Sequence, residues 1–404
     1  MRQTFIMQIK LSQTISNLEE SATIKMAQMA RDLKAKGNDV ISLSLGEPDF
    51  DTPKYIVEAA YEALKSGYTH YTPVPGLVEF REAIVTKLKR DNNLDFNVNQ
   101  IVVSNGAKQS IYNLAQVLLD PGDEVIIFAP YWVSYGAIVK LTGAKVVALN
   151  SDVEDDYKVS ADQLRDALSS KTKFILFSSP CNPTGSVYTK VELGAFAKVL
   201  EDYPDVLVVS DEIYEHIVFE GVHQSIAQFD SVKDRTIVVN GMSKGFAMTG
   251  WRLGYMAAPL PIAKACGKIQ GQVTSGATSF GQKAAATALL EENDEKDKMK
   301  AIFKGRRDMM LELLNGTPNL KLNVPNGAFY LFPDVSQAYG KSLNGKVINN
   351  SVELAESLLT DSYVACVAGQ AFGNDKCLRI SYATSEEQLR ESAKRIRSFF
   401  SKLQ

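Results

Sequence analysis

The sequence predicts an α/β protein: a large three-layer unit built on a mostly parallel sheet, followed by a smaller α+β unit. Three observations carry this. Short, unbroken apolar runs recur from about residue 100 to residue 257, with helical stretches between several of them. Strands without polar alternation belong in a sheet covered on both faces. After about residue 290 this rhythm gives way to a long charged helix and isolated strands. The 404 residues, 45% of them apolar, are enough for two cores.

In chain order, residues 18–36 read as a helix, with Ile24, Ala27, Ala30 and Leu33 on one stripe and Gly37 as its stop. Residues 40–45 form a strand entering the turn Gly46-Glu47-Pro48-Asp49-Phe50. A helix follows over 53–66, with Thr52 as N-cap and Pro53 at the first helical position. The apolar strands are 101–103, 125–128, 145–149, 174–177, 206–209, 236–239 and 253–257. Helices run to Leu119, through 164–168 and through 191–200. The later part reads as a charged helix 291–314, the apolar run 327–332, a helix near 352–359, strands 364–368 and 378–382, and a closing helix from Ser385.

Bulk properties exclude several functions. A formal net charge of -3 gives no whole-molecule attraction to nucleic acid or anionic lipid. The four cysteines (Cys181, Cys266, Cys366, Cys377) are widely spaced and only three histidines exist, so no metal site is expected and the thiols read as reduced. No apolar run approaches the ~18 residues of a membrane span. The stretch from Met1 to Lys10 lacks the apolar segment of a secretion signal, so cytoplasmic residence is expected, with Met7 as a second candidate start.

Five segments carry candidate chemistry, each at the end of a strand or inside one. Ser243-Lys244-Gly245 follows an apolar strand; alone, Lys244 reads as a surface charge, but desolvated it would be a nucleophile toward an aldehyde. Asp211 closes the run 206–209; alone it reads as a helix N-cap, otherwise as a carboxylate facing a cationic ring nitrogen, with Tyr214 pointing into the same space. Ser179-Pro180-Cys181-Asn182-Pro183-Thr184-Gly185 is explained mostly as a turn. Ser104-Asn105-Gly106-Ala107-Lys108 stands where a strand becomes a helix, a place to cradle phosphate. It matches neither the dinucleotide fingerprint nor the nucleoside-triphosphate loop. Arg379, inside an apolar strand, fits either a structural ion pair or an anionic ligand.

Taken together, in this order and spacing, these segments resemble the class I, fold-type I pyridoxal-5'-phosphate-dependent aminotransferases, most nearly the aspartate aminotransferases of subgroup Ib. The resemblance runs from Ser21-Ala22-Thr23 to the Arg379 strand and is sharpest over Ser243-Lys244-Gly245-Phe246-Ala247-Met248-Thr249-Gly250-Trp251-Arg252-Leu253-Gly254. It implies a mixed, mostly parallel sheet in a large domain at 51–292, with 1–50 and 293–404 forming the small domain.

It further implies Lys244 as the Schiff-base lysine, Asp211 as partner of the pyridinium nitrogen, and Tyr214 and Asn182 as partners of the ring's phenolic oxygen. Trp132 would stack on the ring. Gly106, Ala107, Lys108, Ser243 and Arg252 would hold the phosphate, joined by Tyr71 of a neighbouring subunit in a homodimer. Gly46 and Arg379, with Trp132 and Asn182, would bind the substrate. The expected reaction is ping-pong transfer between an L-amino acid, aspartate, and 2-oxoglutarate. The alternatives are an aminotransferase for aromatic or prephenate-like substrates, or a lyase using the same cofactor. Two departures stand out. Gly241 occupies a phosphate-cup position where another branch carries serine. No arginine near 272–282 offers to read a distal carboxylate, and Gln116 and Glu19 stand where some relatives carry lysine, leaving Ser21 and Thr23 as neutral candidates.

Overall fold

The computed structural model describes residues 9–16, 18 and 20–404. Met1, Met7 and Glu19 lie outside the described residues. The centre is a seven-stranded sheet. Its strands, in chain order, are β1 (Ile101–Ser104), β2 (Glu124–Ala129), β3 (Lys145–Asn150), β4 (Thr172–Ser178), β5 (Leu207–Asp211), β6 (Thr236–Gly241) and β7 (Gly254–Ala257). Their spatial order is β1-β7-β6-β5-β4-β2-β3. Every neighbouring pair is parallel except those of β7, which is antiparallel to both β1 and β6.

Both faces are covered, and the side-chain alternation of each strand sorts residues between them. Val125, Ile127, Leu176, Val209, Ile237 and Met256 pack with helices Ala107–Leu118, Ser134–Lys140 and Leu260–Val273. Ile126, Phe128, Ile175, Phe177 and Val208 face the other way, onto Ala161–Ala167 and Lys190–Leu200. Val103, Val238 and Tyr255 meet helices Lys54–Lys65, Val78–Asn92 and Ser279–Leu290.

A second core joins helix Ala22–Ala35 to the C-terminal part of the chain through Met26, Ala30, Phe303, Leu358, Ile396 and Phe400. Ile41–Ser42 pairs in parallel with Val364–Ala365. Tyr330–Leu331, Leu378–Ser381 and Val367–Ala368 make a separate antiparallel sheet. Helix Glu386–Ser401 closes it, with the Ser385 hydroxyl accepting from the Gln388 amide at 3.3 Å.

Three local expectations fail. The first long helix begins at Ala22, after Ser21, and Ile24 turns away from the core stripe with 66% exposure while Met26 takes its place. The 40–45 strand shortens to Ile41–Ser42. Pro53, not Thr52, is the N-cap of helix Lys54–Lys65. The Thr52 hydroxyl is already committed, donating to the Ala247 carbonyl (2.7 Å) and accepting from the Trp251 indole (3.0 Å). It ties the helix entrance to the loop after Lys244 instead of capping the helix.

Beneath that loop lies a buried polar network. Lys87 and Glu215 form an ion pair with side chains 1% and 4% exposed. Glu215 also accepts from Asn240 (2.8 Å) and Asn92 (2.9 Å), and His216 stands 3.4 Å from it. Burial disfavours charged His216 and holds it down at about 4, against an ordinary 6.5. Between those values the unfolded chain takes up a proton that the folded chain refuses, so this group's contribution to stability falls as pH falls through that window. Glu215, also held low, adds to the loss only below its ordinary 4.5. His216→Gln should therefore remove a loss of stability that the wild type suffers between 6.5 and about 4, read as the difference between urea titrations of the two proteins across that window.

Candidate active site

A cavity of about 300 Å³ opens at the carboxyl ends of the parallel strands. β5 delivers Asp211 at its last residue, and the loop after β6 delivers Ser243 and Lys244. The turn after β4 brings Asn182, the segment after β2 brings Trp132, and the β1-to-helix junction brings Ala107 and Lys108. Tyr214, Arg252, Gly46 and Arg379 complete the wall. Gly106 stands directly behind it against Arg252.

Asp211 is buried. One carboxylate oxygen accepts from the Ile213 amide at 3.2 Å in a local turn; no helix starts here, so the N-cap reading of this residue fails. The other accepts from the Tyr135 hydroxyl at 2.6 Å. Desolvation outweighs these bonds and pushes the carboxyl up to about 6. Among the described residues Asp211 has no salt-bridge partner. The Lys244 amine donates to the Gly46 carbonyl. Burial lowers it to about 8, against an ordinary 10.5, so near neutral pH a useful fraction is unprotonated and nucleophilic.

The anion-binding end is built from backbone. Gly106, at φ 80°, precedes helix Ala107–Leu118, whose first amides are free to donate. A Cβ at Gly106 would lie 2.4 Å from the Arg252 Nη2, so glycine is required for the arginine to close over the helix end. Arg252 itself donates to the Thr249 and Asn105 carbonyls at 2.9 and 3.3 Å. Gly241 is explained the same way: β6 and β7 approach so closely that a Cβ there would meet the Gly254 Cα at 2.8 Å.

Arg379 is 2% exposed. It donates to the Asn182 side chain (3.0 Å) and the Ser44 carbonyl (2.6 Å), and its Nε has no protein partner. A buried guanidinium with a spare donor and, among the described residues, no facing carboxylate is suited to an anionic ligand.

Of the sequence candidates, twelve of the thirteen gather here: Gly46, Gly106, Ala107, Lys108, Trp132, Asn182, Asp211, Tyr214, Ser243, Lys244, Arg252 and Arg379. Tyr71 does not. It lies apart, 97% exposed, among Thr69, His70 and Thr72. Gln116, on helix Ala107–Leu118, is also outside the cavity wall. Ser21 and Thr23 do line it, as does Ile24.

Sequence reasoning missed two partners, Tyr135 and Tyr330, whose hydroxyls reach Asp211 (2.6 Å) and Tyr214 (2.8 Å). It also assigned Lys108 only through its backbone amide. The side chain enters the cavity wall, with Nζ 4.8 Å from the Trp132 ring centre. Among the described residues it has no carboxylate partner, and its amine is lowered by desolvation and then by nearby Arg252.

A nucleophilic lysine, a buried acid, an anion cradle and a buried arginine at the carboxyl edge of such a sheet define an enzyme that handles small anionic substrates through a bound electrophile. The chain belongs to the class I and II aminotransferase family, whose profile matches residues 38–396. Members of that family are in general pyridoxal-phosphate dependent. A Rhizobium leguminosarum bv. phaseoli protein named as a probable aspartate/prephenate aminotransferase is 46% identical over 96% of this chain and 98% of its own. The aspartate aminotransferase of Bacillus subtilis (strain 168) is 42% identical over 98% of this chain and 100% of its own. The crystal structure of the aspartate aminotransferase from Rhizobium meliloti superposes with TM-score 0.95 at 38% identity, covering 98% of this chain and 100% of that one. The protein is accordingly a transaminase.

Asp211 carries an apo-state penalty. Its carboxyl is raised from 3.8 to about 6, so the folded chain binds more protons in that window and loses stability as pH rises through it. Asp211→Asn should stabilise the cofactor-free protein at pH 7 by about 2 kcal/mol while abolishing transamination, measured by urea unfolding and by a coupled assay.

Proposed function

We propose that this chain transfers an amino group between L-aspartate and 2-oxoglutarate, using pyridoxal 5'-phosphate held by Lys244. The carrying observation is that a lysine with a depressed amine pKa and a buried carboxylate with no salt-bridge partner among the described residues share one cavity. The residues present fit the cofactor. The Gly106 cradle and Arg252 suit its phosphate, Asp211 its ring nitrogen, Tyr214 and Asn182 its ring oxygen, Ser243 the phosphate again, and Trp132 its ring face. When bound, the cofactor supplies an electron-withdrawing ring that stabilises negative charge at the substrate Cα.

Each residue then has a defined task. Arg379 binds the substrate α-carboxylate beside Gly46. Asp211 would face the ring nitrogen and favour its protonated form, and a cation there would offset the cost of burying the carboxylate. Lys244 would hold the cofactor and, with its amine free, would move the proton at the substrate Cα. Tyr214 and Asn182 donate toward the ring oxygen. Trp132 excludes water from one ring face.

Lys108 answers the missing cation. Its ammonium stands in the cavity wall over Trp132, without an acidic partner among the described residues. We assign it to the distal carboxylate of aspartate, with Ser21 and Thr23 beside it as neutral donors. The relative named for both aspartate and prephenate gives a second amino acceptor to test, since prephenate is a 2-oxo acid that carries two carboxylates.

The same reading makes the active unit a cytoplasmic homodimer. Tyr71, exposed and remote from its own cavity, suits the phosphate of a partner subunit. It also divides the chain into a large domain at 51–292 and a small one at 1–50 with 293–404; helix Ala22–Ala35 shares its core with helix Glu386–Ser401, which supports that division. No helix among the described residues is long and apolar enough to cross a membrane.

Purified protein should show a visible absorption band that Lys244→Ala lacks. Aspartate, phenylalanine and alanine added separately should shift that band in the order aspartate first; no response to any of them sinks the transaminase assignment to this site. Lys108→Ser should raise KM for aspartate and 2-oxoglutarate roughly tenfold or more, while phenylalanine changes little.

A further inference from the structure

Tyr330 has no task in the chemistry above, yet it touches two residues that do. It is fully buried on Tyr330–Leu331. That strand pairs with Leu378–Ser381, which carries Arg379, with Tyr330 opposite Ser381. The hydroxyls of Tyr330 and Tyr214 lie 2.8 Å apart. The Arg379 guanidinium stands 4.6 Å from the Tyr330 ring centre. The same hydroxyl is 2.7 Å from where a Cβ at Gly46 would stand, so residue 46 is shaped around it. Phenylalanine would fill this core equally well; a buried hydroxyl is retained only where it has a partner to serve.

We propose that Tyr330 is a positioning residue for transamination: its hydroxyl donates to Tyr214, leaving the Tyr214 proton for the cofactor's ring oxygen, and its ring steers Arg379 toward the substrate carboxylate. This rests on the cofactor reading given above. A tyrosine hydroxyl has one proton to give. If Tyr214 spent it on Tyr330, it could not serve the ring. With Tyr330 as donor, the two hydroxyls form a chain that strengthens the outer donation. A stronger donor at the ring oxygen draws charge from that oxygen, so the neighbouring Lys244 nitrogen gives up its proton at lower pH. Arg379 spends its bonds on Asn182 and Ser44 and keeps Nε unpaired. The Tyr330 ring face fixes the guanidinium plane without consuming a donor.

The titratable neighbours are few. Tyr214, Tyr382 and Arg379 face Tyr330. Glu47, Arg379, Arg252 and Asp211 face Lys244. Tyr330→Phe changes none of them.

The test is a spectrophotometric pH titration of the visible band in the cofactor-loaded protein, for wild type, Tyr330→Phe, Tyr214→Phe and the double variant. Tyr330→Phe should raise the midpoint by roughly half a unit or more. It should add nothing once Tyr214 is already Phe. Tyr330→Leu, which also removes the ring, should raise KM for aspartate and alanine alike by several-fold, whereas the Phe variant retains the ring. Melting of the cofactor-free variants checks that they fold, and if the Leu variant does not, the Phe titration still decides the hydroxyl's role. An unmoved midpoint in Tyr330→Phe overturns the proposal. So does an equal shift with and without Tyr214, which marks a general packing effect. A wild-type protein without a visible band would instead defeat the cofactor reading, and the role of Tyr330 with it.

Discussion

A carboxylate buried at the carboxyl end of a central strand is the constraint around which the site is arranged. Asp211 ends β5, a strand with sheet neighbours on both sides, and cannot reach water. Taking a charge there costs several kcal/mol unless a cation or hydrogen bonds meet it. The fold supplies two donors, the Tyr135 hydroxyl and the Ile213 amide, and no salt-bridge partner among the described residues. That deficit is what a cationic ring nitrogen would fill. Stability and function therefore oppose each other at this residue, as they do at many catalytic centres.

The same economy of charge recurs around it. Lys244 and Arg379 sit in the wall of one cavity, and among the described residues no carboxylate is bonded to either, so both are available to ligands. The acids just behind the site are treated in the opposite way. Glu215 is paired with Lys87 and bonded by Asn92 and Asn240, and Glu212 accepts from Ser210 (2.9 Å) and Ser225 (2.6 Å) with His223 at 3.0 Å. Satisfied networks of this kind rigidify their surroundings. Here they lie under the loop that carries Lys244, where His216 packs so tightly that a Cβ at Gly245 would stand 2.5 Å from its ring.

Hydrophobic rhythm made the large sheet legible. Seven unbroken apolar runs can be buried only with helices on both sides, and each run became a strand within a residue or two of its expected ends. The antiparallel insertion of β7 was not legible from the runs themselves, because strand direction is set by the length and path of the connection, which periodicity does not encode. Helices such as Val78–Asn92 and Leu260–Val273 went unread for a similar reason: their apolar stripes are weak, and tertiary packing rather than local pattern holds them.

By itself, the sequence determined which residues would line the site. Lys244, Asp211, Asn182, Arg252 and Arg379 stand at strand ends or in motifs whose order survives only in one fold, and strand ends on one edge of a parallel sheet must converge. What only the tertiary structure decided is how those residues are supported and what they face. Tyr135 reaches Asp211 across 76 positions, and Tyr330 reaches Tyr214 across 116. Lys108, expected only as a backbone donor, also brings its side chain into the cavity wall, with Nζ over the Trp132 ring. Thr52 left the helix end it was expected to cap because a loop nearly 200 positions away offered better partners. Such contacts depend on side-chain direction and on the meeting of distant segments, and a linear pattern of residue types specifies neither.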